Sequence, residues 1–181
     1  MFHYASFLSS FPLVKSSFFL ARFLQHYCTM SEMLANNYFI VRNYVKAREV
    51  FLRLPESVRN SDAVKKKLVL CEIFLGNPLS ALDYLLPLVV QNPGFIFKTD
   101  LELEDCPCRD LICELEQRPG FSQEDDFCLL SISILWLYCS LENSLHYLEM
   151  LTSLNEHPKV NELKFQIQKH INHNLMINST E

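Results

Sequence analysis

Three cysteines lie close together in the acidic part of the chain, at Cys106, Cys108 and Cys113. Thiolates are preferred ligands of structural zinc, which needs four ligands in a tetrahedron. The spacing here is not Cys-x-x-Cys, and His146 or His157 would supply a fourth ligand only through the fold. Acidic neighbours should raise the thiol pKa values and disfavour a reactive nucleophile. We expect ordinary cysteines near the start of a helix, and a small metal or redox protein is the least favoured alternative.

Histidines and lysines form two further clusters. His170 and His173 share a helix face, but no catalytic sequence motif accompanies them. We therefore expect no catalytic residue, no metal site and no cofactor. Lys65, Lys66 and Lys67 could meet phosphate groups, but the chain has 16 Lys and Arg against 21 Asp and Glu, and no aromatic residues interleave the lysines. The sequence therefore predicts no nucleic-acid partner.

Helical hairpins are the elements that must position these side chains. Ala47 begins an apolar stripe that continues at Phe51 and Leu54, with the spacing of an amphipathic helix. A short polar break, Arg42-Asn43-Tyr44, precedes this helix. The same pattern returns 34 residues later, at Gly76-Asn77-Pro78, Ala81, Leu85 and Leu88.

This period and pattern resemble the tetratricopeptide repeat, a 34-residue helical hairpin. The matching residues are Leu34, Ala35, Tyr38, Ala47 and Phe51 in the first copy and Leu68, Ala81, Leu85 and Pro93 in the second. Val69 and Glu72 depart from the pattern, and no tryptophan opens either copy. The resemblance implies an all-α fold, a short right-handed solenoid of antiparallel helix hairpins with capping helices.

The chain divides into four parts under this interpretation. They are an amino-terminal segment with a capping helix at 1–28, two hairpins at 29–96, an acidic connection with a short helix at 97–124, and a third hairpin with a carboxyl-terminal capping helix at 125–176. In the third hairpin, Ser144, Leu148 and Leu151 repeat the Ala47 pattern, and Ser122 is the expected N-cap. The uncharged first residues lack the basic start of a secretory signal, which favours a capping helix over a targeting segment.

The longest uncharged run, residues 127–141, is too short to span a membrane, so no membrane association is expected. Its apolar residues surround the helix, which predicts a helix buried among neighbours. Seven scattered cysteines, an odd number, indicate reduced thiols and a cytoplasmic protein.

The resemblance also implies a binding surface, because the first helix of each hairpin lines a concave face in such stacks. By the repeat register, this predicted groove presents Glu32, Met33, Asn36, Phe39, Ile40, Lys66, Lys67, Leu70 and Phe74. An apolar floor beside cations suits a protein or peptide partner bearing acidic groups. Glu32 stands where a carboxylate clamp requires lysine, which argues against a chaperone-tail binder.

The predicted function is a non-catalytic protein–protein interaction module, an adaptor or a chaperone-like scaffold. The alternative is an obligate structural subunit whose groove is filled by a neighbour or by its own first helix. Charge suggests a further hypothesis. Residues 42–67 carry eight Lys and Arg against three acids, and residues 98–126 carry three against ten. The acidic segment would fold over the basic first hairpin and compete with the partner.

Overall fold

The computed structural model describes residues 31–97, 108–117 and 125–178. Within these ranges all regular secondary structure is helical and no strand occurs, which confirms the predicted all-α class. The helices are α1 at 31–40, α2 Tyr44–Arg53, α3 Glu56–Arg59, α4 Asp62–Phe74, α5 Pro78–Gln91, α6 Pro93–Phe97, α7 Cys108–Glu116, α8 Asp126–Trp136, α9 Leu141–Met150 and α10 Pro158–Asn178. The predicted capping helix at 16–28 lies outside the described residues.

Three helical hairpins organise the structure: α1 with α2, α4 with α5, and α8 with α9. Helix α2 packs on α4, and α5 packs on α8, so each hairpin contacts the next one along the chain. Helix α7 packs on α8, while α10 lies against both α5 and α9. The hairpins therefore follow one another in space in the order of the sequence.

The first two hairpins turn in the same way. Each first helix ends at a residue with positive φ, Arg42 at 58° and Gly76 at 78°, and these positions are 34 residues apart. The next residue then donates back five positions, from Asn43 N–H to Tyr38 O at 2.9 Å and from Asn77 N–H to Glu72 O at 2.8 Å. This is the Schellman arrangement, which satisfies carbonyls at the end of a helix. The sequence period is therefore matched by a repeated backbone geometry.

Small residues allow the paired helices to approach closely. Ala47 and Ala81 are fully buried, as are Phe51 and Leu85 one turn later. Ser144 and Leu148 occupy the equivalent positions of the third hairpin and are fully buried as well. These residues are packing residues in all three hairpins, as their pattern predicts.

Ser144 differs from its two equivalents because its hydroxyl is buried and has no hydrogen-bond partner among the described residues. Burying such a hydroxyl destabilises a fold, and alanine also has the higher helix propensity. We expect Ser144→Ala to raise the free energy of unfolding by about 1 kcal/mol. Urea denaturation of both proteins measures this difference. A loss of stability would show that the hydroxyl has a partner in solution.

Several helix boundaries differ from those predicted. Helices α3 and α6 were not expected, and α6 begins at Pro93, which is tolerated in the first turn of a helix because its N–H is not needed there. Helix α8 has Asp125 as its N-cap rather than Ser122. Helix α10 continues to Asn178, two residues beyond the predicted end of the capping helix at 176.

Helix α8 lies in the centre of the carboxyl-terminal half. Seven consecutive residues, from Leu129 to Leu135, are buried, and α5, α7 and α9 all pack against the helix. This confirms that the longest uncharged run forms a buried helix. None of the helices described here combines the length and the apolarity that crossing a bilayer requires.

Candidate protein-docking surface

The nine residues of the predicted groove differ widely in exposure. Met33 and Ile40 on α1 are exposed, whereas Lys66 and Leu70 on α4 are buried. The other five are partly buried, namely Glu32, Asn36, Phe39, Lys67 and Phe74. The groove as a whole stays a prediction, and only its α1 portion presents large apolar side chains to solvent.

Lys67 connects the first two hairpins. Its ammonium donates to Asn36 Oδ1 at 2.6 Å, which ties α4 to α1. Burial lowers the pKa of Lys67, while the nearby Glu32 carboxylate acts in the opposite direction. The sequence placed these three residues on one surface, and the structure brings them together there.

Lys66 and Leu70 are covered by distant parts of the chain. The Lys66 ammonium lies 5.1 Å from the centroid of the Phe95 ring and 5.3 Å from that of Tyr138, distances suited to cation–π attraction. Leu70 belongs to the main apolar core. The cover of Lys66 comes from α6 and from the turn after α8, which the repeat register of α4 does not reveal.

An aromatic cluster fills the end of the predicted groove. Tyr44 stacks on Phe74 with a centroid distance of 4.7 Å and meets the edge of Phe39 at 5.8 Å. Burial raises the pKa of Tyr44, and Arg42 partly offsets this. Phe39 and Phe74, predicted as separate anchors, are thus joined through a tyrosine that was assigned to the turn.

Among the described residues, the acidic segment contacts the first hairpin through Glu114. Glu114 of α7 accepts a hydrogen bond from Arg42 at 3.3 Å, with both side chains largely exposed. Helix α7 is anchored through Leu111 and Ile112, which are buried in the main core. Residues 100–107 and 118–124 of the proposed lid, which spans 100–126, lie outside the described residues, so the lid stays a prediction.

An exposed apolar stripe runs along the outer side of α1 and reaches the start of α2. Five of its side chains are between 46% and 74% exposed: Met33, Leu34, Ile40, Val41 and Val45. The spacing i, i+1 and i+7 places Met33, Leu34 and Ile40 on one face of α1, and Val41 directly follows the helix. Contiguous apolar surface of this kind marks an interaction site more often than scattered single residues do. We call these five residues the α1 stripe.

The exposure of Leu34 explains why the repeat pattern did not predict the α1 stripe. The repeat pattern assigned Leu34 to the core, and its second-copy equivalent Leu68 is fully buried. Leu68 lies on α4, which packs against the preceding α2, whereas no described hairpin precedes α1. The same residue type in the same register is therefore buried in one copy and 46% exposed in the other.

Glu72, which replaces the tyrosine of the repeat pattern, forms a buried ion pair. Its carboxylate accepts from Arg48 Nε at 2.5 Å and from Asn77 Nδ2 at 3.4 Å, and the side chain is almost fully buried. This pair links α2 to α4. Burial, with a smaller contribution from Glu72, raises the pKa of the neighbouring Cys71 thiol to about 12, which makes it a poor nucleophile at neutral pH.

Of the three clustered cysteines, only Cys113 has a described side chain, because Cys106 and the side chain of Cys108 lie outside the described residues. Within the described residues, no three His, Cys, Asp or Glu side chains are grouped as metal ligands. A site that includes Cys106 and Cys108 therefore stays a prediction.

Comparison with known proteins adds no relative: the chain matches no protein-family model, and neither the curated proteins nor the solved structures contain a match.

Proposed function

We propose that this protein is a non-catalytic protein–protein interaction module, an adaptor or scaffold, that binds a partner polypeptide on its first hairpin. The α1 stripe is the observation that carries the proposal. It contains Met33 and Ile40, the two exposed members of the predicted groove. Burying each stripe side chain would contribute roughly 1.5–3 kcal/mol before ordering costs. Micromolar binding needs about 8 kcal/mol, so several must act together.

We further propose that the hairpins form a right-handed solenoid of the tetratricopeptide type. The supporting observations are the Schellman turns at Arg42 and Gly76 and the buried small residues at Ala47, Ala81 and Ser144. Asn43 adds to this, since its side chain accepts from Lys46 N–H as the N-cap of α2. The odd number of cysteines, seven, supports a cytoplasmic location as part of the same proposal.

The partner's chemistry follows from the stripe and its surroundings. The exposed apolar surface of the stripe fits the apolar face of an amphipathic helix. Arg42 and Lys46, both exposed, lie beside its turn end, and Lys46 is held 5.5 Å from the centroid of the Tyr38 ring. Cations there favour a partner helix with acidic residues at that end.

An affinity capture with the full chain tests the proposal through Ile40→Asp. A carboxylate in the middle of an apolar interface must be desolvated without a partner, so capture of the partner should fall at least tenfold. The readout is the set of proteins recovered, quantified by mass spectrometry against the unmodified chain.

Phe165→Asp is the matched control, because Phe165 is also a large exposed apolar residue but lies on α10. It should recover the same partner as the unmodified chain. Equal recovery by Ile40→Asp would overturn the proposal. If Ile40→Asp instead converts a self-associated protein to monomers, the stripe joins copies of this chain, and the structural-subunit alternative is favoured.

A further inference from the structure

A cavity of about 260 Å³ lies between α5 and α10, on a different part of the molecule from the α1 stripe. The two helices run in parallel, because Lys159 pairs with Asp83 at 2.5 Å near their beginnings and the rings of His170 and Phe97 meet at 4.8 Å beyond the end of α5. The cavity occupies the space near the carboxyl end of α5.

Its walls combine two kinds of surface. The α5 side is apolar, formed by Val89, Val90 and Pro93. The α10 side is polar, formed by Gln166, Lys169, His170 and His173. An apolar floor with a few converging polar groups is the usual composition of a small-molecule site.

The charge of the lining has one sign. None of the described lining residues is acidic, although acids outnumber Lys and Arg in the whole chain by 21 to 16. The nearest acid on α10, Glu162, accepts from Gln166 Nε2 at 2.7 Å. Lysine and imidazole N–H groups donate hydrogen bonds to carboxylates.

We propose that this cavity binds a small aliphatic carboxylate, with its hydrocarbon part on Val89, Val90 and Pro93 and its carboxylate beside Lys169 and His173. The cavity is open to solvent beside Val90, which is 53% exposed, and has room for an acid of about eight non-hydrogen atoms. A free carboxylic acid and the last residue of a peptide present the same chemistry. This site is independent of the proposed partner surface.

Titration of the full-length protein with hexanoate, followed by NMR, tests this proposal. We expect hexanoate to shift the resonances of Val90, His170 and His173 at millimolar concentration. Hexanamide has the same chain without the charge and should bind at least fivefold more weakly. Equal effects of the acid and the amide, or shifts spread over unrelated residues, would overturn the proposal.

Two variants locate the site. Lys169→Gln should weaken hexanoate binding at least fivefold, and Val90→Trp should abolish it by filling the cavity. Lys164→Gln is the matched control on the same helix, because Lys164 donates to Asn155 at 2.7 Å and does not line the cavity. Equal affinities of Lys169→Gln and Lys164→Gln, with unchanged melting temperatures, would also overturn the proposal.

A final comparison tests whether the site prefers the carboxylate of a peptide chain end or that of a free acid. Acetyl-Gly-Leu with a free carboxylate is compared with hexanoate and with its own amide. Tighter binding of the peptide acid than of hexanoate assigns the site to chain ends, and the reverse order assigns it to free acids. Both outcomes support a carboxylate site, whereas equal binding of the peptide acid and its amide contradicts it.

Discussion

Asp126→Ala should lower the free energy of unfolding by about 4 kcal/mol, the largest effect we expect from a single substitution here. The Asp126 carboxylate is buried and holds the loop after α9. It accepts from Thr152 N–H at 3.0 Å, from Leu154 N–H at 2.9 Å and from the Ser153 hydroxyl at 2.5 Å, and also from Ser153 N–H. Removing it leaves three N–H groups without their acceptor. Urea denaturation measures the change.

Asp125→Ala is the matched control, because Asp125 precedes Asp126 but is exposed and caps α8 through Phe127 N–H at 2.9 Å. Losing an exposed N-cap costs about 1 kcal/mol. Similar losses for the two variants would show that Asp126 acts only as a second helix-capping residue and does not anchor the loop.

The Asp126 carboxylate also makes the free energy of unfolding depend on pH. Burial alone would raise the pKa of Asp126, but hydrogen bonds from Ser153, Thr152 and Leu154 outweigh it and lower the pKa from 3.8 to about 2. As the pH falls, Asp126 is therefore protonated in the unfolded chain at a higher pH than in the folded protein. The stabilisation, about 2 kcal/mol, is complete above about pH 5 and is lost as the pH falls through about 2. Asp126→Ala should lack this component.

Arg48→Met should lower the free energy of unfolding by about 3 kcal/mol, because it leaves the Glu72 carboxylate buried without its cation. Arg48 itself is partly exposed, so methionine retains much of its packing. Replacing both partners, as Arg48→Met with Glu72→Leu, should restore most of the loss, since the buried charge is then absent. Thermal and urea denaturation of Arg48→Met, Glu72→Leu and the double variant, each compared with the unmodified protein, give the double-mutant cycle that measures the coupling of the two residues.

Arg42→Met provides the comparison, because its ion pair with Glu114 is exposed on both sides. Such pairs contribute less than about 1 kcal/mol. If Arg48→Met lowers the free energy of unfolding no more than Arg42→Met does, Arg48 does not stabilise the buried Glu72 carboxylate. If the double variant is no more stable than Arg48→Met, the geometry of the pair itself maintains the contact between α2 and α4.

The local part of this fold could be predicted from the sequence. Ala47 and Ala81, with the apolar residues that follow each of them, determine where two helices pack, and the polar breaks at Arg42 and Gly76 mark the turns. These features depend on residues within one hairpin, which a period of 34 residues reveals.

Contacts between distant elements could not be predicted in this way. The pattern identified Glu72 as unusual but gave no sign that Arg48 pairs with it. Lys66 was assigned to an open groove because Phe95 and Tyr138, which cover it, belong to elements outside its repeat. The loop held by Asp126 begins 26 residues further along the chain at Thr152 and carries no sequence motif.

The central claim is that the outer face of the first hairpin receives another polypeptide. Photo-crosslinking tests it most directly, with benzoylphenylalanine at position 40 or at position 165 of the full chain. We predict crosslinks to a different protein from position 40 and not from position 165. Crosslinks from position 40 only to residues 1–28 of the same chain, or partner crosslinks from position 165 alone, would contradict it.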